Sequence, residues 1–517
     1  MWDILKKSKL SSINLVILTG ALVKFLIHLY MAPGYGYFGD EFYTIALSRH
    51  LALGYVDLPP LAPLLVAISQ ALLGDSLFAF HIVPALAGAV TLVFACQITK
   101  EFGGKAFAAA LTALAFIAVP IWLSLDSIFC YDSIDQMILA GFLLALVRFL
   151  KTGNKRLWLV MGLIAGIASL TKMTILFLGP GFLVSLLLSK YRKDLLTRWP
   201  YLGAVIYMIV ISPYVVWQWV NHWPTLEYWM NYGTIRVYQA SLQQYLLNAI
   251  ISMNLFLIPL WILGLYRLLR RMDGVSYRFF IWLFLVTFGL LFVRHATIRL
   301  LAELFIPLIA AAALCIEELL SHIRSRWQVL PKVLVGAYLV FSGLIMFPIS
   351  LPIIPPDRLS ETTGYAKPWI QATREFNGGI SSYPELLVGR VGWDDLVKSV
   401  AQVYNDLPAE DRQKAGIYAY HYMFAGAIDV LGPQYGLPHA VSGSLTYYLW
   451  GPGYSWDVMV IVTTQTNDMA VFFDQCEDKA RLVNRSDFSF IDKTHVFVCR
   501  GPKVPAEDIW SSMKSFR

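Results

Sequence analysis

The chain has 517 residues, of which 57% are hydrophobic and only 15% charged, and its mean hydropathy is +0.59. That balance excludes an ordinary soluble globular protein. The formal net charge of +7 does not point to nucleic acid, because Lys and Arg stand in short clusters between apolar runs, where orientation in a membrane accounts for them.

The apolar residues come in runs of about 20, the length of helix that crosses a hydrocarbon core of roughly 30 Å, rather than in the shorter alternating strands of a barrel. In chain order, spans are predicted near residues 11–31, 77–98, 106–125, 136–150, 157–170, 173–189, 200–221, 246–266, 279–293, 299–316 and 329–350. The fourth, fifth and sixth are short and suit tilted, broken or partly re-entrant helices. The first follows Lys6, Lys7 and Lys9; it is too long for a cleaved leader and no small-residue cleavage site follows, so it is expected to stay as an anchor.

Positive charge sets the parity of these spans. Lys100 and Lys105, Lys151, Lys155 and Arg156, Lys190 to Arg198, Arg267 to Arg278, and Arg324 and Arg326 all fall in loops on the side of the N-terminus. The opposite loops hold little beyond Arg49, Lys172, Arg236 and Arg294. Basic short loops favour the cytoplasm, so the N-terminus is predicted there and everything after the last span outside.

At "LPIIPPDRLSETTG" (351–364) the composition changes to that of a soluble domain. The expected division is a membrane domain over 1–350 and a small extracytoplasmic α/β domain over 351–517, with buried strands at 415–420, 458–464 and 495–499 and a helix in "WDDLVKSVAQVYNDL". Cys96 and Cys315 lie in spans as small apolar residues. Cys476 and Cys499 share a compartment that permits a disulfide; paired and free thiols both stay open. No zinc spacing, phosphate-cradling glycine loop or internal repeat stands out.

Acidic residues gather on the outer side. Asp40 and Glu41 begin a helix predicted to run to Gly54, where Asp40 as N-cap and Glu41 as a first-turn charge is the plain structural reading. Asp57 follows in a segment that Pro59 and Pro60 hold extended, and the second outer loop, "LDSIFCYDSIDQ", adds Asp126, Asp132 and Asp135. Carboxylates at this depth are costly unless solvated, paired or functional, and two loops feeding one face suggest a cavity that handles a hydroxyl. Lys172, Arg294 and Arg299 supply cations on the same side, suited to a lipid-linked phosphate, or else to snorkelling at the interface. His222, in the aromatic stretch "WQWVNHWPTLEYW", reads as an interfacial belt residue or as a substrate or metal ligand. Tyr447, Tyr448 and Trp450 read as core of the small domain or as a surface for stacking sugars.

"GYFGDEFYTIALSRHLALGYVDLPPLAPLL", "LLGDSLFAFH", "LTK", "WQ" with "WPTLE", and in the outer domain "GWDDL", "GPQYGLP", "YYLWGPG" and "VFVCRGP" resemble the bacterial branch of the protein-mannosyltransferase-like membrane glycosyltransferases, glycosyltransferase family 39. These have the GT-C fold and are similar to the enzymes that add aminoarabinose to lipid A or galacturonic acid to lipopolysaccharide. The resemblance implies an α-helical polytopic protein of about eleven transmembrane helices in a bacterial inner membrane. It also implies inverting transfer of a sugar from a polyprenyl-phosphate donor to an envelope acceptor, which could be lipopolysaccharide, lipid A, another glycan or a protein. The family's base matches Asp40, with Glu41 beside it, and fixed cations such as Lys172 and Arg299 would stabilise the leaving phosphate. Two positions depart from the pattern. "TIRLLAELFIP" puts Arg299 where the family carries a Lys followed by tyrosines and adds Glu303, and Asn221 occupies the place of a His, with His222 one position later. The departures leave the donor sugar and any divalent metal cofactor open. A transporter or flippase of a lipid-linked sugar is the rival from another class, which would use Lys24, His81 and Glu303 inside the bundle; a structural or sensor protein presenting the outer domain is the third.

Overall fold

The computed structural model describes residues 11–235, 241–356, 358, 385–464, 471–482 and 491–517. Lys6, Lys7, Lys9, Arg236 and the later part of the proline-rich exit lie outside the described residues.

All eleven apolar stretches are helical, and the expected fold class is borne out. The first half carries α1 (Ser12–Met31), α2 (Gly39–Arg49), α3 (Leu61–Leu73), α4 (Leu77–Glu101), α5 (Ala106–Ile117), α6 (Pro120–Leu125), α7 (Tyr131–Thr152) and α8 (Leu157–Ser169). There follow α9 (Thr174–Leu187), α10 (Arg198–Val220), α11 (Pro224–Ile235), α12 (Leu242–Ser252), α13 (Ile258–Leu269), a small hairpin of β1 (Arg271–Met272) and β2 (Val275–Ser276), then α14 (Phe279–Val293), α15 (Phe305–Ser321) and α16 (Val329–Ser350). Among the described residues six helices are long and apolar enough to cross a membrane: α1, α4, α7, α10, the stretch Arg299–Ser321 and α16. They become eight if each of two bent pairs is one span, and the shorter α5, α8 and α14 complete the predicted set.

The breaks have local causes. Pro120 forces Val119 into an extended conformation, which divides the predicted span 106–125 into α5 and α6. The span predicted at 246–266 turns through 90° at Asn254. Asn254 takes a positive φ of 74° there, accepts from the Phe256 amide and donates its own side-chain amide to Ala118 O at 2.8 Å, so the irregular backbone is tied to a neighbour instead of facing lipid. The predicted sixth span ends in α9, which meets the turn Lys190–Leu196 at 105°. At the centre of the bundle lies Arg299–Ser321, whose apolar window is 83% buried and whose four alanines Ala310 to Ala313 let its neighbours approach closely. Helix α1 lies at the rim with only 17% of its window buried.

Helix α2 is shorter than expected, ending at Arg49 rather than Gly54, and its N-cap is Phe38 rather than Asp40. Helix α3 was not expected; it starts immediately after the Pro59–Pro60 pair.

The small domain begins with α17 (Glu385–Val388), α18 (Trp393–Asn405) and α19 (Ala409–Lys414). It continues through β3 (Ala415–Ala419), α20 (Tyr422–Leu431), β4 (Ala440–Val441), α21 (Thr446–Leu449), β5 (Val458–Thr463), β6 (Phe473–Arg481), β7 (His495–Pro502) and α22 (Ala506–Ser512). Its sheet has the order β4-β3-β5-β7-β6, with β3 parallel to β4 and β5, and with β7 antiparallel to β5 and β6. The expected strands at 415–420, 458–464 and 495–499 correspond to β3, β5 and β7. Cys476 and Cys499 are register partners on β6 and β7 and form a disulfide.

One packing feature decides where the acids go. Phe42, Tyr43, Ala46 and Leu47 of α2, with Tyr55, Val56 and Leu58 after it, share one hydrophobic core with Trp393, Leu396, Phe424 and Ile428 of the small domain. Fully burying a side chain such as Phe42 or Leu47 is worth about 1.5–3 kcal/mol each. Ile45, on another side of α2, packs with Ala62, Phe80, Phe129 and Ile134 of the bundle. Helix α2 is thus clamped between the two.

Candidate active site

Glu41 is fully buried and its carboxylate is saturated. One oxygen accepts from the Phe38 amide at 2.7 Å; the other accepts from the Phe129 amide at 2.5 Å and meets His81 Nε2 at 2.8 Å. The second nitrogen of that imidazole lies 2.9 Å from Ala32 O. Glu41 therefore joins the start of α2 to α4 and to the loop before α7, a positioning task that suits a carboxylate because it can accept several hydrogen bonds at once.

Asp40, one residue earlier, is partly exposed, and its Oδ1 accepts from the Tyr422 hydroxyl of the small domain at 2.8 Å. Asp57 stands nearby: its Oδ1 accepts from the Tyr43 hydroxyl at 2.7 Å, and the rings of Tyr43 and Tyr422 are 4.7 Å apart. Desolvation pushes the Asp57 carboxyl up to about 7, with the charge on Asp40 adding to the rise and the Tyr43 hydrogen bond opposing it. Burial, and then the adjoining carboxylates, hold Tyr43 and Tyr422 well above the usual phenol range, so both stay protonated donors.

A second cluster begins one helix away. Asp132, in the first turn of α7, forms an ion pair with Lys172 from the α8–α9 turn and lies 3.6 Å from the Arg299 guanidinium at the start of the central span. The Lys172 ammonium also lies over the Tyr131 ring at 4.8 Å. Tyr131 is within electrostatic reach of both Asp40 and Asp132, and so links the clusters. Asp135, one turn further along α7, is buried with Glu303 within reach of it and of Lys172. Lys172 and Arg299 thus lie together beside Asp132, with Asp135 and Glu303 completing a mixed cluster of cations and acids.

The structure thus brings together Asp40, Asp57, Asp132, Asp135, Lys172 and Arg299, with Glu41 behind them. It leaves the other expected residues apart. Arg294 is exposed at the end of α14, and His222 is exposed in the bend after α10, at φ +63°. Tyr447 is buried, donating to Asp429 Oδ2 at 2.7 Å; Tyr448 stacks on Trp510 at 5.5 Å between centroids; and Trp450 lies 4.3 Å from the His50 ring. All three aromatics are engaged in packing. Lys24 pairs with Asp126 at 2.7 Å and His81 with Glu41, so two of the residues a transport path would need are tied in buried pairs. Among the described residues no three His, Cys, Asp or Glu side chains converge as a metal-binding group.

Sequence reasoning missed what the small domain supplies. Tyr422 reaches Asp40; the Thr446 Oγ1 accepts from the Val56 amide at 3.0 Å and lies 2.8 Å from the Tyr43 hydroxyl. Buried Arg390 donates to Ser127 O at 3.0 Å and Ser127 Oγ at 2.7 Å, with its charge felt by Glu41, and desolvation draws its guanidinium down to about 10. No local pattern marks these contacts, which join positions more than 250 residues apart. The Gln218 and Thr225 pair was legible as a motif but not as a contact: Gln218 donates to Thr225 Oγ1 at 2.6 Å and the Thr225 hydroxyl to Tyr55 O at 3.2 Å, which anchors the loop carrying Asp57.

The fold is that of a helical membrane protein carrying a small α/β domain. Residues 57–217 match the family described as dolichyl-phosphate-mannose-protein mannosyltransferase. The chain is 25% identical over 259 residues to the lipid A galacturonosyltransferase RgtD of Rhizobium johnstonii, covering 48% of this chain and 53% of that one. It is 27% identical over 195 residues to the undecaprenyl phosphate-alpha-4-amino-4-deoxy-L-arabinose arabinosyl transferase 1 of Pseudomonas fluorescens, covering 36% of this chain and 34% of that one. The matches span about half the length of the first relative and a third of the second. The crystal structure of ArnT from Cupriavidus metallidurans bound to undecaprenyl phosphate superposes with a TM-score of 0.58 at 15% identity, over 95% of this chain and 99% of that one, which shows a shared fold. The resemblance read from the motifs, to the lipid A aminoarabinose and lipopolysaccharide galacturonic acid transferase-like branch of the GT-C proteins, is matched in sequence and in fold.

Proposed function

We propose that the protein is an inverting glycosyltransferase of the bacterial inner membrane, moving a sugar from a polyprenyl-phosphate donor to an envelope acceptor on the outer face. The observation that carries this reading is the meeting of a carboxylate pair, Asp40 and Asp57, with a cationic cluster, Lys172 and Arg299 around Asp132, across the Tyr131 ring. The name of the first relative favours lipid A as the acceptor, and the two names together favour a uronic acid or an amino sugar as the cargo.

In the proposed reaction the donor's phosphate rests on Lys172 and Arg299 while its lipid tail lies among the helices. The acceptor oxygen attacks the anomeric carbon as the bond from that carbon to the phosphate oxygen breaks. The hydroxyl proton passes to Asp40, and polyprenyl phosphate leaves with its charge held by the two cations. Asp57 shapes the acceptor side of the cavity. Asp135 adds a carboxylate below the phosphate site, and the divalent metal left open by the motifs is no part of these steps.

The test is transfer from a panel of radiolabelled polyprenyl-phosphate sugars, including 4-amino-4-deoxy-L-arabinose and galacturonic acid, into envelope extract. Native protein is expected to transfer one of them, and well-folded Asp40→Asn to lose at least ~100-fold in rate, the lower end of what a general base contributes. Normal transfer by Asp40→Asn removes Asp40 as the base; no transfer by native protein from any donor moves the reading to the transport of a lipid-linked sugar.

A further inference from the structure

The small domain does more than cover the bundle. We propose that Tyr422, supplied by the small domain, is a positioning residue for the Asp40 carboxylate, so that the small domain completes the active site. This rests on the reading of Asp40 as the base.

Three observations carry it. The Tyr422 hydroxyl donates to Asp40 Oδ1 at 2.8 Å. Tyr422 opens helix α20, whose own N-terminus is fixed by the buried His421: the His421 ring accepts from the Met423 amide and lies 4.2 Å from the Tyr422 ring. And α20 packs against α2 closely enough that the Gly426 Cα faces the backbone of Phe42; a Cβ there would stand 2.8 Å from the Phe42 carbonyl carbon. The donor and the carboxylate it holds are therefore carried on two helices with almost no play between them, which is what orienting a base requires.

A hydrogen bond given to the ionised form of a carboxyl favours that form. Removing the Tyr422 hydroxyl makes Asp40 harder to ionise and takes away a contact that orients it. Asp57 from the loop after α2, Tyr131 of α7 and Tyr422 of α20 are within reach of Asp40, and Tyr43 of α2, Tyr228 of α11 and His421 at the start of α20 lie around Tyr422. Burial pulls His421 down to about 4, so it is neutral throughout the working range and adds no titration of its own. Burial and the adjoining carboxylates keep Tyr43 and Tyr422 protonated there, which leaves Asp57 as the neighbour whose ionisation must be separated from that of Asp40.

The experiment compares full-length native protein, Tyr422→Phe and Asp40→Asn, in detergent or nanodiscs, with the donor that native protein transfers from the panel above. Phe keeps the ring contacts with Tyr43 and His421. The expected result for Tyr422→Phe is a fall in kcat of at least ~10-fold with donor KM within about twofold, and an acid limb of the kcat/KM profile moved upward by about half a pH unit or more. Repeating the profile in an Asp57→Asn background keeps that limb assigned to Asp40. Replacing Tyr422 by 3-fluorotyrosine, a stronger donor, is expected to move the limb downward, a shift that a purely structural role would not produce. Unchanged kcat and pH profile in Tyr422→Phe, with Asp40→Asn inactive, overturns the inference and leaves the function standing. Normal activity in Asp40→Asn, or no transfer at all by native protein, overturns both.

Discussion

Two neighbouring carboxylates in the sequence, Asp40 and Glu41, have different work because one helical step turns them to different surroundings. Glu41 faces inward onto two amides and an imidazole, whereas Asp40 accepts from the Tyr422 hydroxyl and lies within electrostatic reach of Tyr131 and Asp57. Replacing Glu41 by Gln puts an NH2 where amides point and should cost about 1–3 kcal/mol or more of stability. The expected sign is a lower melting temperature in detergent, with lost activity following from misplacement of α2. Asp57 gives a pH prediction. Its folded carboxyl titrates near 7 instead of near 4, so the protonated form is favoured by the fold. The stability this brings is present in full below about pH 4 and is lost as pH rises to about 7. Melting curves should show native protein losing stability over that interval relative to Asp57→Asn, and parallel curves for the two would refute the assignment. Lys172→Gln, which leaves Arg299 alone on Asp132, should raise donor KM by about tenfold, the effect of losing one charge-assisted contact of about 1.5 kcal/mol. These acids and cations were visible as residues in the sequence, because charge beside a bilayer is conspicuous. Which of Asp40 and Glu41 is buried and which stays partly exposed was not, since that depends on where Phe129 and His81 arrive from elsewhere in the chain.

At the scale of elements, α2 is the piece that joins the two halves. Gly39 and Gly426 allow it: a Cβ on Gly39 would stand 2.7 Å from Met423 Sδ and 2.8 Å from the Trp393 ring, and one on Gly426 would meet Phe42 backbone. Gly426→Ala pushes against the Phe42 backbone and Cβ, neither of which can swing aside, and should cost about 1–3 kcal/mol through overpacking. The expected phenotype is a small domain that is cut more readily in limited proteolysis and transfer reduced by an order of magnitude, with the bundle intact. Hydrophobic run length gave the eleven apolar stretches because it is a local property. It could not give the turn at Asn254, which depends on Ala118, nor α3, whose 13 residues follow directly on two prolines. Nor did it place α2 inside the core of a domain that begins more than 300 residues later.

Across the whole molecule, the small domain and the bundle are linked by buried polar contacts as well as by apolar packing, Arg390 on Ser127 and Thr446 on Tyr43 among them. The Cys476–Cys499 bridge bears on which side of the membrane that domain occupies. Thiol labelling under denaturation should modify Cys96, Cys130 and Cys315 at once and the other two only after reduction; five free thiols in protein from oxidising growth would argue against the outward orientation.

The Lys24–Asp126 pair sets a constraint of another kind, on the order in which the protein can be made. Helix α1 enters the bilayer early, carrying a lysine that in the finished protein is wholly buried and faces a carboxylate about a hundred residues further along the chain. Until that carboxylate has been synthesised and the loop after α6 has packed, the charge has no partner, and α1 must remain near the interface or the translocation machinery. Helix α1 thus enters before its partner exists and settles late. Asp126→Asn should act as a biogenesis defect, lowering membrane yield by removing about 3–5 kcal/mol, and pairing it with Lys24→Met should recover much of that yield.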